Sequence, residues 1–438
     1  TVIFIPLPQQ FTTHVRWVNK TGLANSDALV RMTKQLLTYG SQKLPNPEFA
    51  ETVAMSGNDL TYSTSLERTE ISVSVLAQDL EQTLRLLALN VQYPDWRQKN
   101  WQAMQNQLTL EYKAMNTLGS SLAYQGFNQL LYPKSHPYGQ IKSTIGELEK
   151  TRLPQIESFY QQHFKPENSA LILAGQWQPF SQKEVMQWIT QYFSHNSLSL
   201  KASKNTTKDV KIIEKKTEAY EGKTIHIIDR QGAAQADIYV GAITVAKLNT
   251  DWFALHFAST LLGGGAHSRL FRDIREQRGL AYSISAAQTN RKMEAPFYVR
   301  TNTANEKVAA TLRGIQQHFQ ALIDVEIPQN EIQLNQDFLL GRLASNFETP
   351  EEVAARAAYY FALELPSNYL QTYQNTISRI NAQEIKSIAR KYLVPEKMIF
   401  LIVADYDWIL PQIRQYLPEY QVTRHPAALS IISQKQPQ

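Results

Sequence analysis

Gln155-Ile-Glu-Ser-Phe-Tyr-Gln-Gln-His-Phe-Lys-Pro-Glu-Asn-Ser-Ala-Leu-Ile-Leu-Ala174 recurs as Glu384-Ile-Lys-Ser-Ile-Ala-Arg-Lys-Tyr-Leu-Val-Pro-Glu-Lys-Met-Ile-Phe-Leu-Ile-Val403, at an offset of 229 (384 − 155) in every column. Each copy reads as an amphipathic helix, a Pro-Glu turn and an apolar strand. A long-range repeat of this kind redefines a fold before any single element does. A second pair supports it. Asp27-Ala-Leu-Val-Arg-Met-Thr-Lys-Gln-Leu-Leu37, followed by Gly40, matches Asp251-Trp-Phe-Ala-Leu-His-Phe-Ala-Ser-Thr-Leu-Leu262, followed by Gly263 to Gly265. The chain therefore reads as one unit used twice: a first domain over 1–200, a polar linker over 201–222 and a second domain over 223–438. Its 438 residues exceed what one hydrophobic core usually supports.

Working outward, the first half reads as strands over Val2 to Pro6 and Thr13 to Val18, then a helix from Asp27 to Leu37. Strands follow over Thr61 to Leu76, where Thr69 to Val75 alternates strictly. Two long helices are expected between Leu80 and Tyr124, and a buried strand at Leu171 to Ala174. The second half repeats the order with Thr224 to Ile228, Ile238 to Ile243, Trp252 to Leu262, Leu280 to Thr289, Phe297 to Thr303 and Lys307 to Asp324. Strands interleaved with helical pairs predict an α+β architecture: two similar domains, each a mainly antiparallel sheet with helices packed on one face.

Composition narrows the function. Apolar residues are 43% and charged residues 19%, which is globular usage. Lys and Arg number 44 against 39 Asp and Glu, a net +5 with no long run of like charge, so no nucleic-acid-binding arm is expected. The chain has no cysteine, which removes disulfides, thiol catalysis and cysteine-zinc sites. It has no run of eighteen apolar residues, so no membrane span is expected. Cysteine avoidance fits a bacterial periplasm, the expected location with the cytoplasm as alternative, and a chain opening on Thr1 reads as a mature form.

The segment Leu261-Leu-Gly-Gly-Gly-Ala-His-Ser-Arg-Leu-Phe-Arg-Asp-Ile-Arg-Glu-Gln-Arg-Gly-Leu-Ala-Tyr-Ser-Ile-Ser285 resembles the second-domain signature of pitrilysin/insulinase metallopeptidases and mitochondrial processing peptidase. The resemblance runs through nearly the whole chain and implies the processing-peptidase fold, akin to LuxS-like metalloenzymes, as one half of a clamshell. Catalytic members carry an inverted zinc motif, H-x-x-E-H, on a first-domain helix, with a Glu as general base. The equivalent helix here is Ala28 to Gly40. It places Arg31 and Gln35 at the ligand positions and Lys34 at the base. The family's third ligand, a Glu two helices later, matches Glu111. Here it reads either as a residual ligand or as a helical Glu paired with Arg31 or Lys34. None of the nine His residues forms H-x-x-x-H or H-x-x-E-H, so no metal is expected in this chain.

The resemblance also implies that an Arg and a Tyr seven residues apart reach an active site built on another subunit. Arg275 and Tyr282 match that spacing, with Arg272 and Arg278 as alternative registers. Arg offers a planar fork for a carbonyl or carboxylate, and a Tyr hydroxyl can donate to a developing oxyanion. On their own residue types, the three arginines also read as a solvated helical stripe and Tyr282 as a strand aromatic. Gly264, Gly265 and His267 are candidate substrate contacts, or a helix-terminal turn facing solvent. Met55 to Thr64 resembles the edge-strand region where peptides bind by strand addition, or reads as an ordinary strand. The expected function is a non-catalytic subunit of a heterodimeric zinc metallopeptidase. Its partner would be a homologous H-x-x-E-H subunit holding the zinc, its substrate a peptide, and in isolation it could form a homodimer. The alternatives are a structural or assembly protein, or a peptide binder, on the same fold.

Overall fold

The computed structural model describes residues 1–57, 59–140, 145–193 and 223–427. The expected linker 201–222 lies outside the described residues. The first sheet has strands β1 (Val2–Pro6), β2 (Thr12–Asn19), β3 (Thr61–Thr64), β4 (Thr69–Leu76) and β5 (Ser169–Gly175) in the order β1-β5-β2-β4-β3. The second has β6 (Thr224–Asp229), β7 (Gln235–Ile243), β8 (Ser283–Gln288), β9 (Pro296–Ala304), β10 (Ile399–Ala404) and β11 (Gln421–His425) in the order β11-β6-β10-β7-β9-β8. Apart from β11 the two orders are the same. β1 runs parallel to β5 and β6 parallel to β10, while the other shared neighbours are antiparallel. The α+β reading with two similar sheets holds, but helices cover both faces of the first sheet rather than the one face expected, because its strands are apolar on both sides.

The repeat that opened the sequence maps column by column onto structure. Helix Leu153–His163, a 3₁₀ turn at Pro166–Asn168 and β5 answer to helix Ala382–Tyr392, a turn at Pro395–Lys397 and β10. Ile156 and its mate Ile385 are both fully buried. Leu171 pairs with Val2 on one side and Trp17 on the other. Its mate Phe400 pairs with Ile225 and Val240. Burial is set by period 3.6 in the helix and by both faces being covered in the central strand.

The chain folds into two compact units that do not follow its continuous halves. The first gathers the described residues of Thr1–Tyr112, Ile141–Lys215 and Leu343–Pro366. The second gathers those of Lys113–Gln140, Lys216–Arg342 and Ser367–Gln438. In the first unit Val15, Trp17, Ile71, Val73 and Leu173 form one sheet face against helices on that side. The opposite face, at Val18, Ala170, Ile172 and Ala174, takes Val353, Ala354 and Ala358 of helix Pro350–Leu363, which comes from the second half of the sequence. Alanines on both sides let helix and sheet approach closely. A capping box of Thr349 and Glu352, with Pro350 at the first position, starts that helix.

The second unit receives helix Gly119–Leu131 from the first half. Phe127 packs on Tyr239 and Tyr298, at centroid distances of 5.2 and 6.4 Å. Buried Arg291 donates to Tyr132 Oη at 3.0 Å and to Asn128 Oδ1 at 3.2 Å. The two helices expected between Leu80 and Tyr124 are three: Leu80–Gln92, Gln98–Met115 and Gly119–Leu131. The third breaks away because it belongs to the other unit. Among the described residues no helix is long and apolar enough to cross a membrane.

Candidate functional site

Helix Asp27–Leu37 starts where Ser26 Oγ accepts from Leu29 N, and it buries Val30, Leu36 and Leu37. The opposite face carries Arg31, Lys34 and Gln35, grouped by i, i+3 and i+4 spacing. Arg31 Nε donates to Asp27 Oδ1 at 2.8 Å, so it pairs within its own helix and not with Glu111. Lys34 Nζ donates to Gln35 Oε1 at 3.2 Å. Gln35 Nε2 donates to Gln107 Oε1 at 2.9 Å, and Gln107 Nε2 to Glu111 Oε1 at 3.0 Å. Burial pushes the Lys34 ammonium below its ordinary pKa, against the Glu111 charge, which raises it, and with Arg31, which lowers it further.

A chain of amides thus runs where two imidazoles and a carboxylate would meet a metal. Zinc needs lone pairs on nitrogen, sulfur or carboxylate. Here a guanidinium and an ammonium hold only protons, and the amide and carboxylate oxygens are already accepting them. These residues do not fit zinc. Among the described residues no group of three or more His, Asp or Glu is placed to hold a metal ion. Gln107, which closes the chain, was not singled out from the sequence. Its signal was its place four residues before Glu111, one turn away on the same helix face.

In the second unit Phe271–Gln277 is a π-helical turn. The wider turn is marked by Arg278 N donating to Asp273 O, an i to i−5 bond of 2.9 Å. Ile274 anchors the segment in the core, and Gly279 reverses the chain at φ +57°. Lys307 Nζ donates to Gly279 O at 2.9 Å and holds that turn. The Arg275 guanidinium lies 4.4 Å from the Phe271 ring centroid and 6.0 Å from that of Tyr282. Tyr282, just before β8, is 79% exposed. Tyr282 therefore stands outside the core with the Arg275 guanidinium over its ring.

The π turn also separates the three arginines. Arg278 points back toward helix Val308–Asp324, close to Gly314 and 3.6 Å from Asp273 Oδ2. Asp273 Oδ2 also meets His318 Nε2 at 2.9 Å. Arg272 is exposed. Among the described residues Arg275 is the arginine that stacks on Tyr282. Phe271, which orients it, was missed because Phe271 and Arg275 look like ordinary helix neighbours in the sequence.

The glycine turn is more constrained than a solvent-facing loop. Gly264 caps helix Asp251–Gly263 through its N–H to Thr260 O at 2.8 Å. His267 Nε2 lies 3.3 Å from Asn335 Oδ1, and its ring meets Phe338 edge-on at 4.5 Å. Arg269 grips Glu331 with two bonds of 2.7 Å. Gly265 and His267 are thereby fastened to helix Gln329–Ser345, and His267 is engaged there rather than with the Arg275–Tyr282 pair. In the first unit β3 is an edge strand, bonded among the described strands to β4 alone, with Thr61 and Ser63 exposed. Asn58, within the stretch read as the edge region, lies outside the described residues.

Comparison with known proteins finds relatives over most of the chain. The model of insulinase (peptidase family M16) matches residues 30–128, and that of the peptidase M16 inactive domain matches residues 152–339. A non-peptidase homolog, YmxG, from Helicobacter pylori is 23% identical over 87% of this chain and 85% of its own length. A probable inactive metalloprotease, YmfF, from Bacillus subtilis is 22% identical over 62% of this chain and 61% of its own. Among solved structures, a protease from Helicobacter pylori superposes with a TM-score of 0.82 at 19% identity, covering 92% of this chain and 96% of that one. A peptidase M16 inactive domain from Pseudomonas fluorescens gives 0.77 at 19% identity, covering 92% and 95%.

Proposed function

Because the chain belongs to the insulinase (M16) peptidase family and its zinc-motif helix carries Arg31, Lys34 and Gln35, we propose that it is the zinc-free subunit of a two-chain peptidase. Its partner is a homologous subunit with an intact H-x-x-E-H motif, which supplies metal and base and cleaves a peptide. This chain closes the chamber and lends Arg275 and Tyr282 to that site. The observation that carries the reading is the Phe271–Arg275–Tyr282 stack. A π turn buries Ile274, turns Arg275 outward over two rings and leaves Tyr282 79% exposed beside a glycine turn. A relic of a lost activity has no physical need for an exposed tyrosine held under a guanidinium.

In this arrangement the Arg275 fork holds a substrate carbonyl or carboxylate, and the Tyr282 hydroxyl donates a hydrogen bond to the oxyanion forming at the scissile carbonyl. A positioned donor of that kind contributes about 10²–10³ in kcat. The test combines the isolated chain with the catalytic homologue. The chain alone is expected to cleave nothing, and the mixture to cleave peptides in a chelator-sensitive way. Tyr282→Phe should lower kcat of the mixture by about 10²–10³-fold without dissociating it. Chelator-sensitive hydrolysis by the isolated chain would sink the reading, as would unchanged cleavage by a mixture carrying Arg275→Ala with Tyr282→Phe.

A further inference from the structure

Tyr282 also borders a pocket of about 220 Å³ whose other walls include Gln235, Gly279, Asn302 and Lys307. We propose that this pocket is a subsite for an acidic side chain of the peptide. The inference rests on the reading of Tyr282 as a group that meets the scissile peptide, and it names what that peptide carries next to the bond.

The lining is rich in unspent donors. Among the described residues that line it, Lys307 is the charged one. Its ammonium spends one N–H on Gly279 O at 2.9 Å and keeps two. Asn302 Oδ1 already accepts from Ser283 N at 3.3 Å and from Ser283 Oγ at 2.9 Å. Its amide is therefore locked with the oxygen toward β8, and the Nδ2 protons remain to be given. Gln235 adds an exposed amide at the mouth. Ammonium and amide protons around a volume of one side chain favour a carboxylate, because charge-assisted bonds are about twice as strong as neutral ones. Glutamine offers the same shape without the charge, and lysine brings a like charge to Lys307.

The pocket is also built to stay in place. Lys307 ties the Gly279 turn to the start of helix Val308–Asp324, Ala281 is buried, and Thr303 Oγ1 donates to Leu280 O. The bond that holds the turn thus also fixes the ammonium beside Tyr282.

The experiment uses the full chain mixed with the zinc-bearing homologue. The probes are peptide sets differing only by Glu, Gln or Lys at each position flanking the cleaved bond. At one position Glu is expected to exceed Gln by about 5–10-fold in kcat/KM, with Lys poorest, the scale of one partly exposed charge-assisted bond. Lys307→Met should level the set. Lys307→Glu should invert it toward Lys, which a merely structural role for Lys307 would not do. Tyr282→Phe, run in parallel, should lower kcat for every peptide and leave the ranking intact. If Tyr282→Phe lowers kcat but Lys307→Glu leaves the ranking unchanged, the subsite is wrong and the proposed function stands. If the mixture does not cleave, or Tyr282→Phe changes nothing, the reading of Tyr282 fails and the subsite falls with it.

Discussion

At the scale of single residues, the sequence made the two halves of the expected site visible to different depths. Arg31 and Gln35 were legible as lost ligands and Lys34 as a lost base because residue type alone decides whether an imidazole lone pair or a carboxylate is present. What those positions do instead was not legible, since Gln107 lies 72 residues from Gln35 and no local pattern joins them. The Arg275–Tyr282 spacing was readable, but which of three arginines faces the ring depended on a π turn that periodicity at 3.6 cannot encode. The amide chain makes a concrete prediction. Glu111 is linked through Gln107 to Gln35 and acts on the Lys34 charge, so a carboxylate lies near the lost ligand positions. The combined variant Arg31→His, Lys34→Glu, Gln35→His is therefore expected to bind zinc by calorimetry where the natural chain does not. Adding Glu111→Ala should weaken that binding about 10–100-fold. The gain is offset by stability, because Arg31→His removes the 2.8 Å charge-assisted bond that Arg31 gives to Asp27; a cost of about 1–3 kcal/mol is expected in urea unfolding. If the variant folds and binds no zinc, the other residues around the helix no longer allow a metal, and the site has been lost more deeply than by its ligands.

At the scale of elements, the repeat predicted strand and helix positions well because each carries its own period. β1 and helix Asp27–Leu37 fall where the sequence put them, and the remaining strands differ at their ends. Bounds shifted where a turn, not a side-chain pattern, ends the element. The strand expected from Leu280 begins at Ser283, because Gly279 to Tyr282 are spent reversing the chain and presenting the tyrosine. Strand β11 has no counterpart in the first sheet and therefore no signal in the repeat. The packing of helix Asp251–Gly263 against β8 is set at Gly263, where an added Cβ would fall inside the contact distance of Ala286 N and Ala286 Cβ. The Gly-Gly-Gly run is thus first a close approach of helix to strand. Gly263→Ala must push β8 outward, and overpacking of this kind costs about 1–3 kcal/mol. The expected outcome is a lower urea midpoint together with reduced kcat of the partner mixture, because Tyr282 is carried at the start of β8. A Gly263→Ala protein with unchanged stability would mean that helix and strand separate freely there.

At the scale of the whole molecule, duplication was legible and exchange was not. A hydrophobic stripe shows that helix Gly119–Leu131 needs an apolar partner. It does not say that the partner is the sheet built 100 residues later. The same holds for helix Pro350–Leu363, whose alanines suit a close sheet contact without naming the sheet. Each compact unit therefore takes one covering helix from the opposite half of the chain. The consequence is energetic. A separate 1–200 fragment would expose the face at Val18, Ala170, Ile172 and Ala174, which are all essentially buried in the whole chain. A separate 223–438 fragment would expose Tyr239, leave Gly241 uncovered by Phe127, and leave Arg291 without Tyr132 and Asn128. A bare apolar face of this size exceeds what a marginally stable domain tolerates. Expressed alone, both fragments are expected to aggregate or to bind hydrophobic dyes with broad, weak unfolding transitions. Expressed together, they are expected to assemble into a soluble 1:1 complex with a single cooperative transition. Arg291→Met in the second fragment should weaken that complex more than the same change weakens the intact chain, because in the intact chain helix Gly119–Leu131 is tethered at high effective concentration. Two fragments that each fold cooperatively on their own would show that the exchanged helices only decorate domains already complete without them.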